Sequence, residues 1–160
     1  MKKLILMAVA VAFSMACNAQ TGEKYKEIAG IPSPEGKEIK LSEVVEANKY
    51  TLLDFWASWC PPCMAELPYL TEAYAEYKGK GFEIYGVSYD KDGDAWRNTI
   101  KDKNMNWVHV SSVTHWDSPT QELYNVRSIP ANFLIAKDGT IVAKNLRGEA
   151  LSKKLAELLD

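Results

Sequence analysis

Two cysteines three positions apart are the residues of this sequence best suited to chemistry. Cys60 and Cys63 enclose two prolines in the run WCPPC, and the third cysteine, Cys17, lies close to the N-terminus. A disulfide between such near neighbours constrains an unfolded chain very little, so a purely structural bond is not favoured. A zinc site needs four ligands, and only His109 and His115, which we expect in an exposed connection, are left to complete one. Redox exchange and a pair of inert core thiols remain.

The residues around the cysteines predict a buried strand that ends just before them and a helix that begins on them. Residues 51–56 are mostly apolar and of strand length, as in a central strand covered on both faces. The following residues have helical periodicity up to Gly79, with a kink at Pro68. The apolar side of this predicted helix comprises Met64, Leu67, Leu70, Tyr74 and Tyr77. Unpaired N–H groups at such a helix start lower the pKa of Cys60, while Cys63, one turn in, is predicted to be more buried. This position favours exchange, in which the first thiolate attacks a disulfide and the second cysteine resolves the intermediate.

The rest of the chain alternates strands with helices and ends in a hairpin and a helix. The predicted elements are a helix at 42–48 capped by Ser42, a strand at 82–89, a helix from Asp92 or Asp94 to 104, a strand at 107–111, a helix with a capping box at 118–121, strands at 131–136 and 140–143 around Asp138-Gly139, and a helix at 149–158. This order predicts an α/β fold with a central mixed β-sheet flanked by helices on both faces. Residues 20–37 are predicted to be a linker or N-terminal extension, and residues 38–160 to form the domain.

Residues 1–19 have the three parts of an export signal, namely a basic KK pair, an apolar stretch and small residues. The apolar stretch is too short for a permanent membrane span. Two cleavage sites fit. One precedes Cys17, because SMAC resembles a lipobox and would leave a lipidated cysteine; the other follows Ala19. Both predict an exported, periplasmic domain, either soluble or lipid-anchored to a membrane.

Composition excludes some classes of function. The chain has 160 residues, of which 47% are hydrophobic and 25% charged, which suits one globular domain. A net charge of −2 provides no overall field that would attract nucleic acid or an anionic membrane surface.

Two segments carry a resemblance to a known family. DFWASWCPPC at 54–63 and SIPANFLI at 128–135 resemble the thioredoxin superfamily, in particular its exported TlpA/ResA-like thiol–disulfide oxidoreductases. The likeness extends in element order over roughly 38–158, with residues 90–114 similar to a segment that exported members insert between strands. It implies a thioredoxin-like fold, no cofactor beyond the redox pair, exported proteins bearing thiols or disulfides as partners, and a membrane electron donor.

The resemblance also implies roles for individual residues. Pro130 would be a cis proline facing the cysteines, Ile129 would present backbone groups to a substrate, and Trp59 would shield the site and contact partners. Asp54 would take the proton from the second cysteine; burial in an apolar strand should raise its pKa. A trans proline and a purely structural carboxylate are the alternatives. The lysine that thioredoxins place near this carboxylate is Gly86 here.

The two prolines bear on the direction of electron flow. Pro61 and Pro62 have no N–H, so only the N–H groups of Cys63 and Met64 remain to hold a thiolate. A weakly stabilised thiolate implies a low potential, and therefore a reductase of disulfides in exported proteins. The alternatives are a disulfide-forming oxidase, a non-enzymatic thiol- or metal-binding module, and a peroxiredoxin-type peroxidase, which would need a threonine where Ala57 stands.

Overall fold

The structure is a computed structural model that describes residues 21–160. The predicted export signal, both cleavage sites and Cys17 lie outside the described residues. Within 21–160, none of the helices has the length and apolar character needed to cross a membrane. The strands are β1 (Tyr50–Trp56), β2 (Phe82–Ser88), β3 (Val108–Ser111), β4 (Ala131–Ala136) and β5 (Ile141–Lys144). The α-helices are α1 (Leu41–Ala47), α2 (Pro61–Tyr77), α3 (Gly93–Asp102), α4 (Pro119–Leu123) and α5 (Glu149–Leu159), and two 3₁₀ helices lie at Lys78–Lys80 and His115–Asp117.

The five strands form one mixed sheet in the order β3-β2-β1-β4-β5. β1 pairs in parallel with β2, which pairs in parallel with β3, whereas β4 and β5 add an antiparallel edge. The predicted central strand is therefore confirmed, and all of its residues after Tyr50 are buried. The hairpin predicted at Asp138-Gly139 joins β4 to β5, and Gly139 has the positive φ of 87° that its turn requires.

Helices cover both faces of the sheet, as predicted. Alternate residues of a strand point to opposite faces. Asp54 and Trp56 line a cavity together with Leu67 of α2, which packs against α5. On the other face the ring of Phe55 packs 5.5 Å from that of Tyr124, which immediately follows α4. The site residue Asp54 is thereby placed beneath the helix that carries the cysteines.

The N-terminal extension is packed against the domain. Ile28 and Ile31 are 2% and 4% exposed and belong to the hydrophobic core. The backbone N–H of Gly22 donates to the carbonyl of Ile141 in β5, and that of Ser111 in β3 donates to the carbonyl of Pro32. The extension therefore bonds to both edge strands of the sheet, where unpaired backbone groups would otherwise be available to other chains.

The predicted cap of the first helix is wrong. α1 begins at Leu41, and Ser42 lies inside it. The carbonyl of Ile28 accepts from the N–H of Leu41 at 3.0 Å, and the Glu27 carboxylate accepts from the N–H of Ser42 at 3.1 Å. The extension supplies the acceptors that a side-chain cap would have supplied.

The capping box predicted at 118–121 also does not form. Ser118 is the N-cap of α4 and a proline follows it, as predicted, but its hydroxyl bonds to Thr120 at 2.9 Å. The Gln121 amide donates instead to the carbonyl of Val126 at 2.8 Å. These side chains bond to groups outside the cap, so the pattern locates the helix start without forming the predicted bonds.

Candidate active site

The cysteine pair lies where β1 leads into α2. Cys60 is the N-cap of the helix and forms a disulfide with Cys63, with an S–S distance of 2.15 Å. The N–H of Cys63 donates to the sulfur of Cys60 at 3.2 Å. The predicted address of the pair is therefore confirmed. In the disulfide the two residues are almost equally buried, at 3% and 2% exposure, so the predicted difference in burial is absent.

The second motif lies against the first. The peptide bond between Ile129 and Pro130 is cis, as predicted. The carbonyl oxygen of Ile129 lies 3.7 Å from the sulfur of Cys60, and Pro130 lines the same small cavity as Cys63. Two motifs separated by more than sixty residues thus meet at the disulfide, and the carbonyl of Ile129 lies beside the sulfur of Cys60.

Asp54 lines a small cavity that also contacts Cys63 of the disulfide. Its side chain is buried, and the cavity of about 10 Å³ that it lines with Cys63, Glu66 and Arg147 has room for about one water molecule. Burial raises the pKa of Asp54 to about 7, with the charge of Arg147 lowering it and that of Glu66 raising it to a smaller extent. Within residues 21–160, nothing donates a hydrogen bond to this carboxyl group. A carboxyl that titrates near neutral pH beside a cysteine can accept a proton from its thiol.

Glu66 and Arg147 are site residues that the sequence analysis did not identify. The Glu66 carboxylate accepts from the N–H of Gly148 at 2.8 Å, and the Arg147 guanidinium donates to the carbonyl of Pro130. The position of Glu66, three residues after Cys63 in one helix, is a local signal that places both on one side of α2. Arg147 has no such signal, because only the tertiary fold brings the residues before α5 to the cis proline.

Space above Gly86 is filled from the neighbouring strand. Gly86 pairs with Asp54 on one side and with His109 on the other. A Cβ atom at Gly86 would lie 2.9 Å from Nδ1 of His109 and 3.2 Å from Nε1 of Trp56. The lysine expected in thioredoxins would therefore collide with two buried rings, which explains why glycine stands here.

His109 is buried in β3, so the predicted exposed connection is wrong at this residue. Its Nε2 lies 3.0 Å from the carbonyl of Met105, and burial lowers the pKa of His109 to about 4. The ring is therefore neutral at pH 7, and Nε2 carries the proton that the carbonyl accepts. Among residues 21–160, no group of three or more histidine, cysteine or acidic side chains is arranged to hold a metal ion.

The surface beside Cys60 is aromatic. Trp59 is 44% exposed, and its ring centroid lies 5.0 Å from that of His115 and 6.3 Å from that of Trp116. Its indole N–H donates to the carbonyl of Tyr89 at 3.3 Å. Three other tryptophans are buried in the core: Trp56, Trp96 and Trp107. Trp59 thus differs from them in being available to a partner.

A buried carboxylate holds the loop that leads to Cys60. Asp90, 1% exposed, accepts hydrogen bonds from the backbone N–H and the hydroxyl of Ser58 and from the hydroxyl of Ser88. Its own carbonyl accepts from the N–H of His115. Asp90 therefore links the loop before the cysteines to the aromatic surface. The sequence analysis placed it at the start of an inserted segment and assigned it no role.

Comparison with known proteins agrees with this geometry. The profile of the family described as thioredoxin-like matches residues 48–141. The chain belongs to the thioredoxin-like family. A thiol-disulfide oxidoreductase named ResA from Bacillus thuringiensis subsp. konkukian is 32% identical over 164 residues, covering 98% of this thioredoxin-like chain and 90% of the relative.

Solved structures give the same result. The thioredoxin domain of a thiol-disulfide oxidoreductase from Bacteroides vulgatus is 32% identical with a TM-score of 0.80, covering 88% of this chain and 98% of that domain. A thiol-disulfide oxidoreductase from Bacteroides fragilis is 36% identical with a TM-score of 0.78, covering 86% of this chain and 100% of its own. This thioredoxin-like protein is therefore similar in both sequence and fold to thiol-disulfide oxidoreductases.

Proposed function

We propose that this protein is a thiol–disulfide oxidoreductase that reduces disulfides of exported proteins. The observation that carries the proposal is the disulfide between Cys60 and Cys63 at the start of α2, beside the backbone carbonyl of Ile129. Relatives named as thiol-disulfide oxidoreductases support it. In the described part of the chain a single backbone N–H, that of Cys63, donates to the sulfur of Cys60. A thiolate with so little stabilisation gives a low reduction potential, which favours reduction of clients over their oxidation.

The reaction proceeds in two exchanges. The thiolate of Cys60 attacks one sulfur of the client's disulfide, a mixed disulfide forms, and the other client sulfur leaves as a thiolate. The thiol of Cys63 then gives its proton to the Asp54 carboxylate and attacks the sulfur of Cys60, which releases the second client thiolate. The client gains two electrons, the protein is left with its disulfide, and an external dithiol donor must reduce it again.

The residues around the pair support client binding. Trp59 shields the disulfide and provides an apolar contact, and Ile129 provides backbone groups for an extended client chain. Pro61 and Pro62 limit the hydrogen bonds available to the Cys60 thiolate. Pro130 separates the client from the Asp54 cavity that it lines.

The test is disulfide reduction by the purified protein. Reduced protein should reduce insulin and become oxidised, Cys60→Ser should abolish the exchange, and Cys63→Ser should accumulate mixed disulfides with clients. The serine variants are matched, because each removes one sulfur. Preferential alkylation of Cys63 in the reduced protein at pH 7 would reverse the roles of the two cysteines. Peroxide consumption without insulin reduction would instead identify a peroxidase.

The proposed site of action is the periplasm, with a membrane electron donor and with either a free or a lipidated N-terminus. The KK pair and apolar stretch of residues 1–19 support export. Mass spectrometry of the mature protein distinguishes a diacylglyceryl group on Cys17 from a chain that begins at Gln20. A protein that retains Met1 would contradict export.

A further inference from the structure

An open pocket lies beside the cis proline, and neither Cys60 nor Cys63 lines it. It has a volume of about 360 Å³ and shares Pro130 and Arg147 with the cavity that contains Asp54. The amide, serine and arginine side chains that line it are Asn125, Arg127, Ser128, Asn145 and Arg147. Two are cationic and three are uncharged and polar, and no carboxylate lines this pocket in the described part of the chain.

The two arginines retain unused hydrogen-bond donors. Arg127 uses Nε to donate to the Asn125 side chain at 2.8 Å, and Arg147 donates to the carbonyls of Leu146 and Pro130. Within residues 21–160, the ion pairs involve other cations, and neither of these arginines has a carboxylate within 4.0 Å. Since the whole chain has a net charge of −2, this local positive charge is not a consequence of a basic composition.

The pocket is within reach of a client held at the disulfide. The sulfur of Cys60 lies 3.7 Å from the carbonyl of Ile129, and the next residue, Pro130, already lines the pocket. An extended chain advances about 3.3 Å per residue. A client chain whose cysteine sulfur contacts Cys60 therefore needs only a few residues to extend past Ile129 to Pro130 and the pocket that Pro130 lines.

We propose that this pocket binds the carboxylate of an acidic side chain close to the cysteine of a client protein. A guanidinium presents its donors in a planar fork that matches a carboxylate, and the neighbouring amides and hydroxyl provide further donors. Acidic clients would thus be reduced faster than neutral or basic ones. This inference rests on the proposed function, because it names a class of client for the same site.

The test compares two disulfide-bonded peptides that differ only in Glu or Gln at the positions flanking the cysteine. Reduced protein should reduce the Glu peptide about fivefold faster at low salt, since partly exposed ion pairs give differences of this order. The preference should shrink in 0.5 M NaCl. Arg127→Gln should lose the preference, so that it reduces the two peptides at equal rates, and Arg127→Lys should retain part of it.

Arg97→Gln is the matched control, because Arg97 is exposed on α3 and pairs with Asp94. It should retain the full preference. Equal rates for the two peptides in the wild type, or an unchanged preference in Arg127→Gln, would overturn the inference. Thermal unfolding of each variant establishes that it is folded.

Binding measurements separate this inference from the proposed function. Peptides with serine in place of cysteine cannot react, so their binding to the oxidised protein by NMR reports on the pocket alone. Tighter binding of the Glu peptide, with shifts at Asn125 and Asn145, supports the pocket even if no peptide is reduced. Reduction of both peptides with equal binding would leave the reductase function standing and contradict the pocket.

Discussion

The backbone N–H of Cys63 lies 3.2 Å from the sulfur of Cys60, whereas the N–H of Met64 bonds to the Cys60 carbonyl as part of the helix. An N-cap side chain normally accepts from the second or third residue of the helix. The second residue here is Pro62, which has no N–H. Of the two positions that could donate to the sulfur of Cys60, the proline leaves only Cys63, so we expect its thiolate in the reduced protein to be weakly stabilised.

This arrangement predicts a low reduction potential that one substitution raises. Pro62→Ala restores the missing donor, stabilises the reduced form and should raise the potential by roughly 30 mV, which corresponds to about 1.4 kcal/mol. Pro61→Ala is the matched control, because the first residue of a helix does not donate to the N-cap side chain. Potentials come from equilibration with glutathione buffers, followed by the fluorescence of Trp59. A wild-type value of about −120 mV, typical of strong oxidants, would contradict the prediction.

The buried carboxyl of Asp54 predicts a stability that depends on pH. Burial raises its pKa from 3.8 to about 7, so the folded chain holds this proton more tightly than the unfolded chain does. Its favourable contribution is complete below about pH 4 and is lost as the pH rises through about 7. Asp54→Asn should therefore be more stable than the wild type at pH 8.5, by up to about 4 kcal/mol, and nearly equal to it at pH 4.

Urea unfolding of the oxidised proteins at pH 4, 6 and 8.5 measures this difference. Asp94→Asn is the control, because the Asp94 side chain is 87% exposed on α3, and it should show no such trend. The same Asp54→Asn variant should also slow the step in which Cys63 resolves the mixed disulfide, and the midpoint at about pH 7 should disappear from its rate profile. A stability difference that is constant with pH would show that this carboxyl is not the group that titrates.

Local patterns were sufficient to predict the central strand, the helix start at the cysteines and the hairpin. Each depends on residues close together in sequence: an apolar run, Cys60 followed by prolines, and Asp138-Gly139. Pro130 was predicted through a family motif, which carries information about long-range contacts that a single segment lacks.

The remaining site residues depend on pairings that local patterns do not contain. Arg147 reaches Pro130 from the segment after β5, and His109 reaches the space over Gly86 through the register of β3 on β2. The capping error at Ser42 has the same origin, because a distant segment provides the acceptor. Periodicity and capping rules use neighbouring residues only, so they cannot predict tertiary contacts that replace local ones.

The hydrogen bonds that Asp90 accepts predict that this one buried carboxylate positions the loop before Cys60. Asp90→Asn keeps the shape of the side chain but replaces one acceptor oxygen with an NH₂ group. This donor would face the donors of Ser58 and Ser88. We expect a loss of about 2 kcal/mol in the free energy of unfolding. We also expect faster alkylation of Cys60 in the reduced protein, because Cys60 is 3% exposed and the loop that leads to it is released. Asp117→Asn, an exposed substitution on the neighbouring 3₁₀ helix, should change neither quantity.

The contact between Gly86 and His109 predicts a measurable coupling between two strands. A methyl group at Gly86 would lie 2.9 Å from the His109 ring and 3.2 Å from the indole of Trp56, closer than side chains pack. Gly86→Ala should therefore cost about 1–3 kcal/mol of stability by overpacking. Gly79→Ala is the matched control, because a Cβ there meets nothing within 4 Å, and it should cost far less.

A double-mutant cycle assigns the overpacking to the imidazole. His109→Ala alone should destabilise by about 2–3 kcal/mol, because it leaves a cavity and removes the partner of the Met105 carbonyl. The space that it opens accommodates the new methyl group, so Gly86→Ala combined with His109→Ala should cost at least about 1 kcal/mol less than the sum of the two changes. Denaturant unfolding of the four proteins measures the coupling. If the costs add, the methyl group is resisted by Trp56 alone, and the imidazole is not what requires glycine opposite Asp54.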